Sequence, residues 1–130
     1  EGIIDRNPCA GIRVNVPEVD QKVLTKTEVG IFLQEAKLTD HRFYPIWAMA
    51  LMTGMRSGEL FALKWTDIDF DGKTISVSKQ WTSKNGLGPT KTQRSRVVPI
   101  SNALLRFLKE LKIKSGNQSE FVLPQLPEWE

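Results

Sequence analysis

The eight residues TGMRSGEL, at positions 53–60, join two predicted helices of different character. The run before them, residues 43–52, is almost entirely apolar, which predicts a helix at the centre of the domain. The Thr-Gly pair is predicted to end that helix. A short helix is predicted to follow at residues 57–63. Arg56 therefore lies just before a helix start, where its guanidinium and the free backbone N–H groups suit a phosphate.

Glu59 follows Arg56 by three residues, so the two side chains share one face of the short helix. The carboxylate can then hold the arginine in one rotamer, ready for an anion. The alternative is an ordinary surface Arg–Glu pair, which contributes little to stability. The local sequence leaves both interpretations open.

The residues upstream predict a linker followed by a helix. Residues 1–22 contain two prolines and show no sustained hydrophobic period, which is typical of a linker. Thr25 and Glu28 have the spacing of a capping box, so a helix is predicted to begin there. Its buried stripe is predicted to consist of Val29, Phe32, Leu33 and Ala36.

Beyond residue 63 the hydrophobic period changes from that of a helix to that of a strand. Residues 67–70 and 74–78 alternate on either side of an Asp-Gly turn, which predicts an antiparallel hairpin. Residues 96–100 are predicted to add a third strand. Pro99 should place it at an edge or end of the sheet, because proline cannot donate a ladder hydrogen bond. Residues 83–89, with two glycines, are predicted to form a loop.

A last helix is predicted to begin after Ser101, a favoured N-cap residue. Its buried stripe is predicted to consist of Leu104, Leu105, Leu108 and Leu111. Residues 121–123 are predicted to form a short extended piece. This order of elements predicts an α+β fold that is mainly helical, with a three-stranded antiparallel sheet.

The composition bounds the class of protein. The chain has 130 residues and a mass of 14.7 kDa, with 40% hydrophobic and 25% charged residues, enough for one core but not for a bilobal enzyme. No apolar run is long enough to predict a membrane span, and no secretory signal is visible at the amino terminus. With one cysteine (Cys9) and one histidine (His41), the sequence offers neither an internal disulfide nor a Cys/His zinc site.

The charge of the chain is polarised. Its net charge is +3, yet residues 72–109 hold eight basic residues and no acidic one, while the other 92 residues hold 10 basic and 15 acidic groups, a net of −5. Such a block is either a solvated face or the electrostatic footprint of a polyanion partner. Within it, Lys91 lies between two threonines ahead of the predicted edge strand. There it is either a solvated loop lysine or a mobile proton donor.

Taken together, these segments resemble the catalytic domain of the tyrosine recombinases, also called phage integrases. Residues 53–60 are similar to the family pattern T-G-x-R-x-x-E-L, and LKWTDID at residues 63–69 is similar to L-x-W-x-D-I-D. TKT at residues 90–92 and RVVPI at residues 96–100 are similar to the family's hairpin lysine and the R-x-V-P-[IL] that follows it. LTKTEV at residues 24–29 resembles the family's opening helix.

The resemblance implies roles for individual residues. Arg56 is similar to the first of two phosphate-clamping arginines, Glu59 to the acidic residue that supports the site, and Lys91 to the lysine that protonates the leaving 5′-hydroxyl. A guanidinium suits the first role because charge builds on the non-bridging phosphate oxygens during strand exchange. Further contacts to DNA phosphates are expected from Lys79, Lys84, Arg94 and Arg96.

The same resemblance implies DNA as the partner and strand exchange through a phosphotyrosine, in the service of DNA integration. It implies no redox cofactor, no metal and no small-molecule substrate. The whole protein is expected to act as a tetramer on DNA, without a membrane, in the cytoplasm of a bacterial or phage-encoded system.

One part of the family pattern has no counterpart in the chain, namely the H-x-x-R box and the tyrosine nucleophile that follows it. His41 precedes Arg56 and has no arginine three residues later, while Tyr44, the only tyrosine, lies in the apolar helix and is predicted to be a core residue. We therefore expect a fragment. Residues 1–22, whose GIIDRNP resembles the end of the family's core-binding domain, would be a linker from that missing or partial domain, and residues 23–130 the first half of the catalytic domain. The chain alone is predicted to be inactive.

Two alternatives from other classes remain open on the sequence. One is a non-catalytic DNA-binding or architectural module on the same scaffold, and the other is an interaction domain with no nucleic-acid role. The tryptophans do not decide between them. Trp47 and Trp65 are predicted to be core residues, whereas Trp81, beside the basic loop, fits a core position and a base-stacking platform equally well.

Overall fold

The computed structural model describes residues 7–13, 22–89, 95–116 and 119–124. These residues form four α-helices, one short 3₁₀ helix (Trp65–Asp67) and two small antiparallel sheets, an α+β arrangement as predicted. The elements in chain order are α1 (Lys26–Leu38), α2 (Tyr44–Thr53), α3 (Ser57–Ala62), β1 (Ile68–Asp69), β2 (Thr74–Val77), β3 (Lys79–Thr82), β4 (Gly86–Pro89), β5 (Arg96–Pro99) and α4 (Asn102–Ser115).

Helix α1 begins at the predicted capping box. The Glu28 backbone N–H donates to Thr25 Oγ1 at 3.3 Å, and the Thr25 backbone N–H donates to Glu28 Oε2 at 2.7 Å. The predicted stripe is shallower than expected. Only Ala36 is buried, Val29 and Leu33 are half-buried, and Phe32 is 40% exposed.

Helix α2 lies at the centre of the helices, because it contacts α1, α3 and α4. Ile46, Ala48 and Met49 are buried in the core. Leu51 is exposed, so the helix is not covered all round despite its apolar sequence. The helix ends where the sequence predicted, and Gly54 at its C-cap adopts the left-handed conformation, with φ of 64°.

The main sheet is antiparallel with the strand order β1-β2-β5. Ile75 pairs with Ile68 on one side and with Val98 on the other, which fixes the register. The buried face of β2 carries Ile75 and Val77, and the alternate residues are more exposed. Strand β5 lies at the edge of the sheet, which agrees with the position predicted from its proline.

A second sheet was not predicted. Strands β3 and β4 form a two-stranded hairpin in which Trp81 pairs with Leu87. The prediction of a loop over residues 83–89 is therefore wrong for its second half, which is strand β4. The two glycines suggested a loop, but strand pairing is set by the partner backbone more than by intrinsic preference. Gly86, at φ of 65°, supplies the left-handed residue at the end of the turn.

Helix α4 closes the core. The Leu104 backbone N–H donates to the Ser101 hydroxyl at 3.2 Å, which confirms the predicted cap. Leu104 and Leu108 are buried as predicted, Phe107 is buried in addition, and the predicted Leu105 and Leu111 are half-buried. The extended piece around Phe121 forms a bridge to Lys64, and the residues that follow it, Val122 and Leu123, are buried in the core.

The aromatic residues are mostly packed rather than presented to solvent. Tyr44 is half-buried and meets Phe107 edge-on, with ring centroids 5.9 Å apart. Trp65 and Trp81 are half-buried against the core, and Trp47 is half-buried and stacks on the His41 ring at 4.7 Å. The core prediction for Tyr44 and Trp65 thus agrees with their packing, whereas Trp47 packs outside the core, on the rings of Phe32, His41 and Phe43.

Candidate phosphate-binding site

The candidate site is built on the tight connection between α2 and α3. Met55 is buried and anchors the connection in the core. The Thr53 hydroxyl donates to the Met49 carbonyl at 2.6 Å and accepts from the Met55 backbone N–H at 3.3 Å. Arg56 follows as the extended N-cap residue of α3, and its side chain is 79% exposed. The backbone that carries this arginine is therefore fixed, while its guanidinium faces solvent.

Glu59 lies beneath Arg56 and is only 2% exposed. Its Oε2 accepts a hydrogen bond from the Arg56 backbone N–H at 2.9 Å, which satisfies a donor at the helix start. Its Oε1 lies 3.5 Å from Arg56 Nη1. The exposed surface pair that the sequence left open is thus excluded, because the carboxylate is buried.

Arg96, on strand β5, is the second partner of this carboxylate. Its Nη1 donates to Glu59 Oε1 and its Nη2 donates to Glu59 Oε2, each at 2.7 Å, the paired geometry that guanidinium and carboxylate prefer. The Arg96 side chain is 40% exposed. Sequence reasoning expected Arg96 to contact DNA and missed this pair, because the two residues are 37 positions apart and no local spacing connects them.

The two arginines determine the charge state of Glu59. The hydrogen bonds from Arg96 lower the pKa of Glu59 to about 2, against the effect of burial, which raises it. The hydrogen bond from the Arg56 backbone and the charges of both guanidinium groups contribute to the same lowering. Glu59 in turn raises the pKa of Arg96. The carboxylate is therefore ionised at any physiological pH.

Helix α3 is seated against the β3–β4 hairpin by Gly58. A Cβ atom at this position would lie 2.6 Å from the Trp81 carbonyl oxygen, so only glycine fits without a shift. This close packing brings the hairpin beside α3. Lys79, at the start of β3, and Lys84, in the hairpin turn, are both exposed on it.

The structure thus brings together Arg56, Glu59 and Arg96, with the hairpin that carries Lys79 and Lys84 packed against the same helix. Two predicted site residues, Lys91 and Arg94, lie outside the described residues. Within the described part of the chain, no cluster of three His, Cys, Asp or Glu side chains could hold a metal ion. No helix in the same ranges is long and apolar enough to cross a membrane.

This arrangement suits an anion at Arg56. Glu59 holds the Arg56 backbone N–H and lies 3.5 Å from one end of its guanidinium, and the remaining N–H donors of this exposed group can bind phosphate oxygens. Fixing a donor before the anion arrives reduces the ordering cost of binding. The geometry favours recognition of a phosphate from the solvent side of α3.

The chain is similar to known proteins of one family. The Phage integrase family matches residues 22–128 of the chain. The chain is 36% identical over 129 residues to a tyrosine recombinase XerC-like protein of Caldanaerobacter subterraneus subsp. tengcongensis, an alignment that covers 85% of this chain and 33% of that protein. The chain therefore spans about a third of the length of this curated relative.

Solved structures show the same fold. The Tn1549 transposon integrase in complex with transposon right end DNA superposes with a TM-score of 0.77 at 20% identity, covering 94% of this chain and 44% of that one. A lambda integrase tetramer bound to a Holliday junction gives a TM-score of 0.64 at 25% identity, covering 99% of this chain and 36% of that one.

Proposed function

Since the chain belongs to the phage integrase family, we propose that it supplies the first half of the catalytic domain of a site-specific tyrosine recombinase. Such an enzyme cleaves and rejoins DNA through a phosphotyrosine intermediate. The observation that carries the proposal is Arg56, an exposed guanidinium on a fixed backbone whose inner side is held by a buried, ionised carboxylate.

In the proposed reaction, a tyrosine hydroxyl attacks the scissile phosphodiester and the 5′-hydroxyl of the next nucleotide leaves. Negative charge grows on the non-bridging oxygens as the phosphorus gains its fifth ligand. In this proposal Arg56 donates two hydrogen bonds to those oxygens, and a preorganised donor of this kind stabilises the transition state more than the ground state. Lys91 is proposed as the general acid that protonates the leaving oxygen.

The nucleophile is proposed to lie outside this sequence. Tyr44 is the only tyrosine, and it is half-buried with its ring packed edge-on against Phe107. A tyrosine held in this way is not available to attack a phosphodiester. The chain alone is therefore expected to form no covalent adduct with DNA.

The wider assignment follows the same proposal. Residues 1–22 would be the linker from a core-binding domain, and residues 23–130 the first half of the catalytic domain. Lys79, Lys84 and Arg94 would contact the DNA backbone. The active assembly would be a tetramer on DNA, as in the lambda integrase structure bound to a Holliday junction, and would work in the cytoplasm, where bacterial DNA is found.

The proposal is tested by substituting Arg56 in a full-length recombinase that carries this segment. On a suicide substrate, which traps the covalent protein–DNA adduct, Arg56→Ala should reduce the cleavage rate by about 10²–10³-fold, the loss typical of removing one transition-state donor. Arg56→Lys should also fail, because an ammonium cannot make the paired contact.

The matched control is Arg106→Ala, which removes the same charge from an exposed position of α4 in the same basic stretch. This variant should cleave at a rate within about threefold of the unmodified protein, since the charge it removes makes no contact with Glu59 or Arg56 in the proposed site. Near-normal cleavage by Arg56→Lys would show that Arg56 is not the phosphate clamp. Binding of DNA without any adduct in the unmodified full-length protein would instead favour the architectural module.

A further inference from the structure

We propose that Arg96 is a positioning residue for DNA cleavage, which acts by fixing Glu59 and, through it, the guanidinium of Arg56. This inference rests on the proposed function, because it presupposes that Arg56 binds the scissile phosphate. It gives Arg96 a different role from the backbone contact that its sequence predicts.

The first support is the way the carboxylate is shared. Oε1 of Glu59 accepts from Arg96 Nη1 at 2.7 Å and lies 3.5 Å from Arg56 Nη1. Oε2 accepts from Arg96 Nη2 at 2.7 Å and from the Arg56 backbone N–H at 2.9 Å. Each oxygen thus serves both arginines, so the orientation of the carboxylate plane couples the position of one to the other.

The second support is the difference in strength between the two pairs. The Arg96 contacts are short and bidentate, whereas the Arg56 side-chain contact is long and single. Arg96 therefore sets the orientation of Glu59, and Arg56 adapts to it. Because Glu59 is only 2% exposed, the loss of Arg96 would leave a buried charge without its main partner.

The third support is that the guanidinium group of Arg96 is already engaged with Glu59. Both of its terminal nitrogens already donate to a carboxylate, and the side chain is about half as exposed as that of Arg56, 40% against 79%. Two of the five N–H donors of Arg96 are thereby committed to Glu59, so fewer remain for a phosphate than on the more exposed Arg56. This geometry fits a role of Arg96 in positioning Glu59 better than a role in binding a DNA phosphate.

The fourth support is the place of Arg96 in the chain. It is the first residue of β5, and it follows Lys91 by five positions in the sequence. Its bond to Glu59 ties the start of this edge strand to the start of α3, two elements that are far apart in sequence. One buried carboxylate therefore connects the proposed phosphate clamp to the strand that follows the proposed general acid.

The test uses a full-length recombinase carrying this segment, with single-turnover cleavage of a suicide substrate at saturating DNA and a separate measurement of DNA affinity. Arg96→Ala should slow cleavage by about 10–100-fold, the range expected when a reacting group is displaced by about 1 Å. The Kd for DNA should change less than about threefold. Arg96→Lys should recover part of the rate, since an ammonium can pair with only one oxygen of Glu59.

A second comparison separates positioning from general destabilisation. The double variant Glu59→Gln/Arg96→Ala should be no slower than the slower of its two single variants, because both changes break the same link. All assays are run below the measured unfolding temperature of each variant. If Arg96→Ala does not fold, the cleavage rate of Arg96→Lys tests the inference instead, because lysine retains the charge and most of the side-chain volume.

Three results would overturn the inference. A cleavage rate at the unmodified level in folded Arg96→Ala would do so, as would multiplicative losses in the double variant. A weaker Kd and a salt slope reduced by about one, with an unchanged rate at saturation, would make Arg96 a phosphate contact instead. If Arg56→Ala also cleaves DNA at the unmodified rate, the proposed function itself is wrong. If Arg56→Ala does not cleave DNA but the Arg96 variants cleave at the unmodified rate, only the proposed role of Arg96 is wrong.

Discussion

At the scale of single residues, the burial of Glu59 explains how the site is assembled. A buried carboxylate is costly unless its oxygens are hydrogen-bonded and its charge is balanced. Glu59 meets both conditions through one local donor, the Arg56 backbone, and one distant side chain, Arg96. The same carboxylate therefore stabilises both the start of α3 and the contact between α3 and β5.

This arrangement predicts how stability depends on pH. The pKa of Glu59 is about 2 in the folded chain and about 4.5 when unfolded, so the folded state favours the ionised form. The stabilisation is fully present above about pH 4.5 and is lost as the pH falls toward 2. In urea unfolding of this chain, the difference in free energy between the unmodified protein and Glu59→Gln should be largest near pH 6 and should shrink steadily below pH 4.5.

The control for this prediction is Glu28→Gln. The pKa of Glu28 is also lowered, by its hydrogen bonds to the backbone and side chain of Thr25, but Glu28 is exposed at the start of α1. Its substitution should produce a smaller pH-dependent difference. A difference between the unmodified protein and Glu59→Gln that stays constant from pH 6 to pH 2.5 would contradict the ion pair.

At the scale of elements, the packing of α3 against the β3–β4 hairpin is the feature most sensitive to a small increase in side-chain size. Gly58→Ala should destabilise the chain by about 1–3 kcal/mol, because the new Cβ would lie 2.6 Å from the Trp81 backbone carbonyl and force α3 away from β3. The free energy of unfolding measures this effect. Cleavage by the full-length protein should fall as well, since the start of the same helix carries Arg56.

Gly30→Ala is the matched control for this prediction. Gly30 lies within α1, and a Cβ there would meet nothing within 4 Å. The change should stabilise the chain by about 0.5–1 kcal/mol, because alanine loses less conformational freedom than glycine in a helix. Equal effects of the two substitutions would mean that α3 does not pack closely on β3.

The same elements mark how far sequence reasoning reaches. Local signals predicted the capping box at Thr25, the end of α2 at Gly54, the Ser101 cap and the edge strand β5, because the residues that cause these features are adjacent in the chain. Tertiary contacts caused what was missed. Strand β4 depends on its partner strand, Gly58 is required by a carbonyl 23 positions away, and Arg96 finds Glu59 only after the sheet docks on α3.

At the scale of the whole molecule, the distribution of charge along the chain and the length of the chain together predict how it binds DNA. Residues 72–109 carry only basic charges, whereas the rest of the chain is net acidic. The chain also spans about a third of the length of its curated relative. We expect this basic stretch to bind DNA through phosphate contacts, which position a protein but carry no sequence information directly.

The last prediction follows from this charge distribution. The chain alone should bind duplex DNA weakly, with a Kd of about 10⁻⁶ M or higher at physiological salt and little preference for sequence. Its affinity should fall steeply with salt, since each phosphate contact releases counterions. In fluorescence anisotropy titrations across salt concentrations, Lys79→Ala/Lys84→Ala should reduce the slope of log Kd against log salt by about two, about one for each lysine. The control is Lys37→Ala/Lys114→Ala, which removes two exposed lysines from α1 and α4, outside the hairpin, and should leave the slope nearly unchanged. Nanomolar, sequence-selective binding by the unmodified chain, or equal slopes for the two double variants, would show that the hairpin is not the phosphate-binding surface.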